Sequence, residues 1–198
     1  MILLKEEEVK LLKKIKGYFA ISVVLFLISI LLGVAFVNLY PSVAEKSLEE
    51  ITDAFSFLHD LGPIALGGFI FLNNSVKIFL FMALGVFFSL PTLFFLAVNG
   101  WTLGFVAASV YPNLGAEGLF FGLFFHGIFE LIALFIGSSL GLLIGLTVFS
   151  EVKGRVVKIF PISERIREIF RLSGLIFVKV IIPLLLVAAV IETYIIFN

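Results

Sequence analysis

Cysteine is absent from this 198-residue chain, which removes disulfides, zinc–thiolate sites and thiol nucleophiles from consideration. Charge is scarce too. Asp, Glu, Lys and Arg make up 14% of the residues, against about 25% in an average soluble domain. Fourteen basic and fourteen acidic residues cancel to a formal net charge of zero, so net charge identifies no partner, and no nucleic-acid partner is expected. The chain lacks a P-loop and a dinucleotide fingerprint, and although Gly137-Ser138-Ser139-Leu140-Gly141 spells Gly-x-Ser-x-Gly, it lies inside an apolar helical run where Ser138 and Ser139 more simply hydrogen-bond along the helix, so no catalytic residue and no cofactor are assigned.

What remains is apolar. Hydrophobic residues are 61% of the chain and the mean hydropathy is +1.21, values of an integral membrane protein. No stretch is long enough for a separate soluble domain, so residues 1–198 read as one membrane domain. At about 20 apolar residues per crossing, the expected fold is all-α: a polytopic helical membrane protein with about five transmembrane helices plus amphipathic interfacial helices.

Residues 1–17 read as a basic amphipathic helix and 18–39 as the first span. That run exceeds a signal-peptide core, so despite Ser42-Val43-Ala44 it reads as an uncleaved anchor. Within 40–62, Leu48, Ile51, Phe55 and Leu58 recur at helical spacing among Glu45, Glu49, Glu50, Asp53 and Asp60, which predicts an amphipathic segment on the membrane surface. Residues 63–111 hold two spans with a turn inside 89–101, where Pro91 and Asn99-Gly100 compete as turn signals. Tyr111-Pro112-Asn113-Leu114-Gly115 is a predicted loop. The fourth span, 118–149, is longer than one crossing requires and must tilt, bend or break near 126–127. Residues 150–173 form a basic amphipathic segment, suited to anionic lipid head groups or to a docking partner, and 174–197 form the last span.

Lys and Arg in the short loops set an orientation. Residues 1–17 carry five lysines and 150–173 carry six Lys or Arg, whereas 40–62 has only Lys46 and 111–118 has neither. The expectation is a multi-pass cell-membrane protein, amino terminus cytoplasmic and carboxyl terminus outside.

The fourth span concentrates the chemistry. At about 100° per residue, Gly122, His126, Glu130, Ala133, Gly137 and Gly141 share one stripe, with Gly118 and Gly145 at its edges. Ionisable groups within a span carry a penalty of roughly 2.5–3.5 kcal/mol at mid-bilayer and should face protein or water. The repeated small-xxx-small spacing of Gly137, Gly141 and Gly145 lets another helix approach closely, whether from this chain or from a second copy in a homodimer. Asn73, Asn74, Lys77, Asn99 and Glu192 complete the set of intramembrane polar residues and are expected in the outer half, while Lys179 is expected to snorkel at the inner end.

Three readings of this cluster stand open. A hydrogen-bonded network would fix helix register; a transport or ion-relay site would use Glu130 and His126 as titratable groups; a metal site would need more than the two ligands that His-x-x-x-Glu supplies locally, and none is assigned.

Phe71-Leu72-Asn73-Asn74 with Gly85, Asn99-Gly100 with Gly104, and above all His126-Gly127-Ile128-Phe129-Glu130-Leu131-Ile132-Ala133 with Gly137 and Gly141 resemble the stage II sporulation protein M family over roughly residues 65–150. The resemblance implies a polytopic membrane protein. In endospore formers it implies the embedded scaffold of a membrane-anchored complex whose partners degrade peptidoglycan. The resulting expectation is a non-catalytic scaffold for unidentified protein partners, with small-solute or ion permeation as the alternative.

Overall fold

The computed structural model describes residues 4–119, 125–154 and 164–197. Every regular element among them is helical, and five helices are long and apolar enough to cross a membrane: Lys16–Leu39, Pro63–Val86, Leu90–Leu119, Gly127–Lys153 and Glu164–Phe197.

Helix α1 (Glu6–Lys14) has glutamates in its first turn and lysines in its last, matching its dipole. It ends at Ile15, and α2 (Lys16–Leu39) begins at once. Helix α3 (Pro41–Ala54) starts on a proline, whose missing N–H costs nothing at the first helical position. Apart from Ala44 it buries almost nothing, as expected of a surface segment.

Helix α4 (Pro63–Ala83) tightens into a 3-10 turn over Leu84–Val86. The chain then reverses at Phe87, Phe88 and Ser89, with φ of 55° at Phe88 and 65° at Ser89. The reversal therefore lies at the front edge of the predicted window, and neither competing signal forms it. Pro91 sits in the first turn of α5 (Leu90–Leu119), where a proline is tolerated, and Asn99-Gly100 is helical interior. Two left-handed, non-glycine residues in a row are unusual; tertiary contacts hold them, as described below.

The predicted loop at 111–115 is also different in form. Helix α5 continues through Pro112 and breaks only at Gly115, whose φ of 64° and ψ of −176° suit a residue without Cβ. Helix α6 (Phe125–Gly154) runs unbroken through His126 and Gly127, so no break occurs at that predicted point. Helix α7 (Glu164–Ile176) passes through a π-helical stretch, Phe177–Ile181, into α8 (Ile182–Phe197). Pro183 explains the wide turn: it has no N–H to return to the carbonyl of Lys179, and a π-bulge absorbs the missing bond.

Helix α6 forms the centre of the bundle, with Ser138 to Gly145 wholly buried, and packs against α2, α4 and α8. A second close seam joins α2 to α5. A Cβ added to Gly104 would strike the Ile30 carbonyl, and one added to Gly100 would lie 2.6 Å from the Phe26 carbonyl oxygen.

Candidate functional site

Asn73, Asn74 and Lys77 occupy successive turns of α4. Asn74 is eleven residues from Pro63 and twelve from Val86, at the middle of that helix. Its side chain lies within hydrogen-bonding reach of the Glu130 carboxylate on α6, and Lys77 acts on that carboxylate electrostatically. Glu192 on α8 stands close enough to feel the charge of Glu130. The fold thus brings Asn74, Lys77, Glu130 and Glu192 together from three helices. Among the described residues Asn73 bonds to its neighbour, its Nδ2 3.4 Å from the Asn74 Oδ1. The backbone of His126 belongs to α6, but its side chain lies outside the described residues, as does Gly122.

Asn99 lies on another wall. Its Nδ2 donates to the Phe95 carbonyl at 2.8 Å, and it joins Lys77 and Glu130 in lining a cavity of about 1040 Å³ bounded by α2, α4, α5 and α6. The rest of the lining is largely apolar, including Phe26, Phe81, Phe94, Phe95, Leu131 and Leu134. Rings of Phe81 and Phe95 stack there, 4.3 Å apart.

The glycines of α6 continue the Glu130 face along α4. A Cβ on Gly137 would strike Ile78, and one on Gly141 would lie 2.6 Å from the Thr92 Oγ1 and 3.3 Å from the Met82 Cα. One on Gly145 would collide with the Ser89 amide nitrogen and hydroxyl and with the Gly85 carbonyl. The helices met by this ladder therefore belong to the same chain: α4, the reversal after it and the start of α5. The same contact explains the left-handed pair. Ser89 donates its hydroxyl to the Leu142 carbonyl at 3.2 Å and its amide to Gly85 at 2.8 Å, while Thr92 donates to the Phe81 carbonyl at 2.7 Å.

One polar site escaped the sequence reading. Glu8 of α1 is fully excluded from solvent; its Oε1 accepts from Lys179 Nζ at 2.6 Å and its Oε2 from the Lys5 amide at 2.7 Å. Arg171 reinforces the contact through Glu7 at 3.0 Å. The hydrogen bond from Lys179 holds the Glu8 carboxyl below its ordinary range, against an opposing push from burial and with help from the Lys5 amide. Lys179 does not snorkel: it is tied to α1. The available signal was Glu8 itself, which shares a helix face with Leu11, Leu12 and Ile15.

Residues 22–195 match the family model described as stage II sporulation protein M (SpoIIM). No curated protein and no solved structure matches the chain.

Proposed function

The chain belongs to the stage II sporulation protein M family, and from that premise we propose that it is a non-catalytic scaffold of the cell membrane that organises partner proteins within the bilayer. The observation carrying this reading is the seam at Gly85, Gly137, Gly141 and Gly145, where the backbone of Gly85 meets that of Gly141 and Gly145 directly and only Ile78, Ser89 and Thr92 press side chains onto the glycines of α6 from α4, the reversal and α5. Transporters of the alternating-access type rock one bundle against another. A seam with backbone atoms in van der Waals contact resists such sliding and suits a body that holds partners at fixed spacing.

In this reading the amino terminus is cytoplasmic and the carboxyl terminus outside. The exposed acidic α3 then offers an external docking surface. The basic α7 and the residues before it face the cytoplasm and anionic lipid head groups; of that stretch, 155–163 lies outside the described residues. Homodimerisation would use outward faces, since the glycine ladder is taken within the chain.

One observation favours permeation as a second reading: Lys77, Asn99 and Glu130 share a cavity. Proteoliposome flux separates the two. The scaffold predicts no proton or cation flux, together with one set of crosslinked partners in fixed ratio from membranes carrying wild type or Glu130→Gln. Flux present in wild type and absent in Glu130→Gln would replace the scaffold with a permeation pathway, because an amide cannot cycle between charged and neutral forms.

A further inference from the structure

The cavity is shut at one end and open at the other. Toward the reversal, the rings of Phe81 and Phe95 on its wall stack 4.3 Å apart, and Thr92, nearer the reversal on α5, donates to the Phe81 carbonyl at 2.7 Å. Beyond them lies the glycine seam, where Gly141 meets Thr92 and Gly145 meets Ser89. A seam of contacts this close leaves no room for water. At the opposite end the wall passes through Tyr111, Ala116 and Gly127, and the chain there is exposed at residues 111–114, 116 and 117.

The wall between these ends carries both signs of charge. Lys77 and Glu130 both line it and act on each other electrostatically, yet among the described residues no ammonium–carboxylate contact within 4 Å joins them. In a dry space opposite charges draw together, because their attraction grows many-fold as water is removed. A pair left apart is bridged through water. The balance of the two charges favours neither an anion nor a cation as occupant, whereas water donates to Glu130 and accepts from Lys77. Polar groups also continue toward the open end: Asn99 keeps a second amide hydrogen beyond the one spent on Phe95, and Thr102 adds a hydroxyl. At 1.5 Å per residue they lie about 18 Å and about 14 Å along α5 from Tyr111. Room is ample, since one water needs about 10–15 Å³ and the cavity offers about 1040 Å³.

We propose that this cavity is a one-ended aqueous vestibule: water and small hydrophilic solutes enter at the end lined by Tyr111 and Gly127 and reach Lys77, Asn99 and Glu130, and the Phe81–Phe95 stack with the glycine seam behind it stops them there. Ionisable groups within a span face protein or water, and the vestibule supplies the water. Flux across the membrane tests the scaffold, whereas solvent entry from one face tests the vestibule, so either stands if the other fails.

The chain has no cysteine, so one introduced thiol is the sole target of a charged, membrane-impermeant methanethiosulfonate, which reacts with the thiolate and therefore in water. Thr102→Cys, Val106→Cys and Ala107→Cys place that thiol on the wall, three mild substitutions of which any that keeps the wild-type size-exclusion profile serves. Glu117→Cys at the exposed end is the fast reference. Leu186→Cys and Val190→Cys, on the outer face of α8, and Thr92→Cys in the seam are the slow ones. With reagent added to one face of sealed vesicles at a time, the wall thiols should react at least about tenfold faster than the slow set, and only from the face that modifies Glu117→Cys. Wall thiols as slow as Leu186→Cys and Val190→Cys, the result for a cavity filled by acyl chains, would overturn the vestibule. Modification of the wall from both faces, or of Thr92→Cys as fast as the wall, would overturn its closed end.

Discussion

The sharpest test of the packing is a single methyl group at Gly145. The added Cβ would meet the Ser89 amide and hydroxyl and the Gly85 carbonyl. Two of those atoms are already bonded to each other at 2.8 Å, and the hydroxyl is bonded to Leu142. None is the loose end of a flexible side chain, so relief requires moving the reversal as a unit. Overpacking of this kind costs typically 1–3 kcal/mol, and losing a buried hydrogen bond adds about 1–3 kcal/mol. The gain in helix propensity from Gly to Ala returns about 1 kcal/mol. The net expectation for Gly145→Ala is a loss of about 1–5 kcal/mol, a drop of about 2–20 °C in melting temperature at 2–4 °C per kcal/mol for a chain of this size. Gly68→Ala is the control: it is also helical, but an added Cβ there meets nothing within 4 Å, so propensity alone acts and the change should be zero to about 1 kcal/mol stabilising. Detergent-solubilised protein followed by thermal unfolding and size exclusion gives both numbers. If Gly145→Ala melts with or above Gly68→Ala, the seam is not close-packed and the rigid-core argument falls.

Three further outcomes follow from named contacts. Glu8→Gln should leave Lys179 facing a neutral amide and speed hydrogen exchange throughout α1; unchanged exchange would mean that the ion pair does not hold the helix. Because the folded Glu8 carboxyl is held below its ordinary value, its contribution is present above the unfolded value of about 4.3 and disappears only as pH falls through the lower folded one. The docking of α1 should accordingly stay constant from pH 8 to 5, and release inside that interval would contradict the sign. Glu130→Gln keeps the shape of the Asn74 contact and should melt near wild type, whereas Glu130→Leu should cost roughly 1–3 kcal/mol by stranding Asn74 and Lys77; equal melting of the two would dispose of the network. Single cysteines at Glu49 on α3 and Glu168 on α7 should react with an impermeant maleimide from opposite sides of intact cells, and same-side labelling would refute five crossings.

What the sequence made legible follows from what periodicity and length encode. Five spans are readable because each crossing needs about 20 apolar residues and the charges fall between them. The small face of α6 is readable because glycines four apart must share a face, but that spacing names no neighbour; only the fold shows that Gly141 meets Thr92 and Gly145 meets Ser89. The same signal lay unread on α5, where Gly100 and Gly104 receive α2. The reversal was unreadable for a different reason. Phe87-Phe88-Ser89 contains no glycine, proline or asparagine, and its left-handed pair is held by α6, more than fifty residues away in sequence. Turn chemistry read locally therefore favoured Pro91 and Asn99-Gly100, which are both helical.

Charges 171 residues apart pose the same problem in a stronger form. Read alone, Lys179 is a cation near the end of a span with a long stem, for which snorkelling is the cheapest solution. Read alone, Glu8 is one of three glutamates opening an amphipathic helix, for which the helix dipole is sufficient explanation. Both local explanations are physically sound, and neither accounts for a glutamate on the apolar face beside Leu11 and Ile15, which are themselves buried. That misplaced charge makes sense only if a cation comes to it through protein. Pro183 supplies the remaining piece: the π turn it forces spans Phe177–Ile181 and so includes Lys179. The irregularity in the last span and the buried glutamate of the first helix are therefore two halves of one contact, by which α1 is fastened to the bundle.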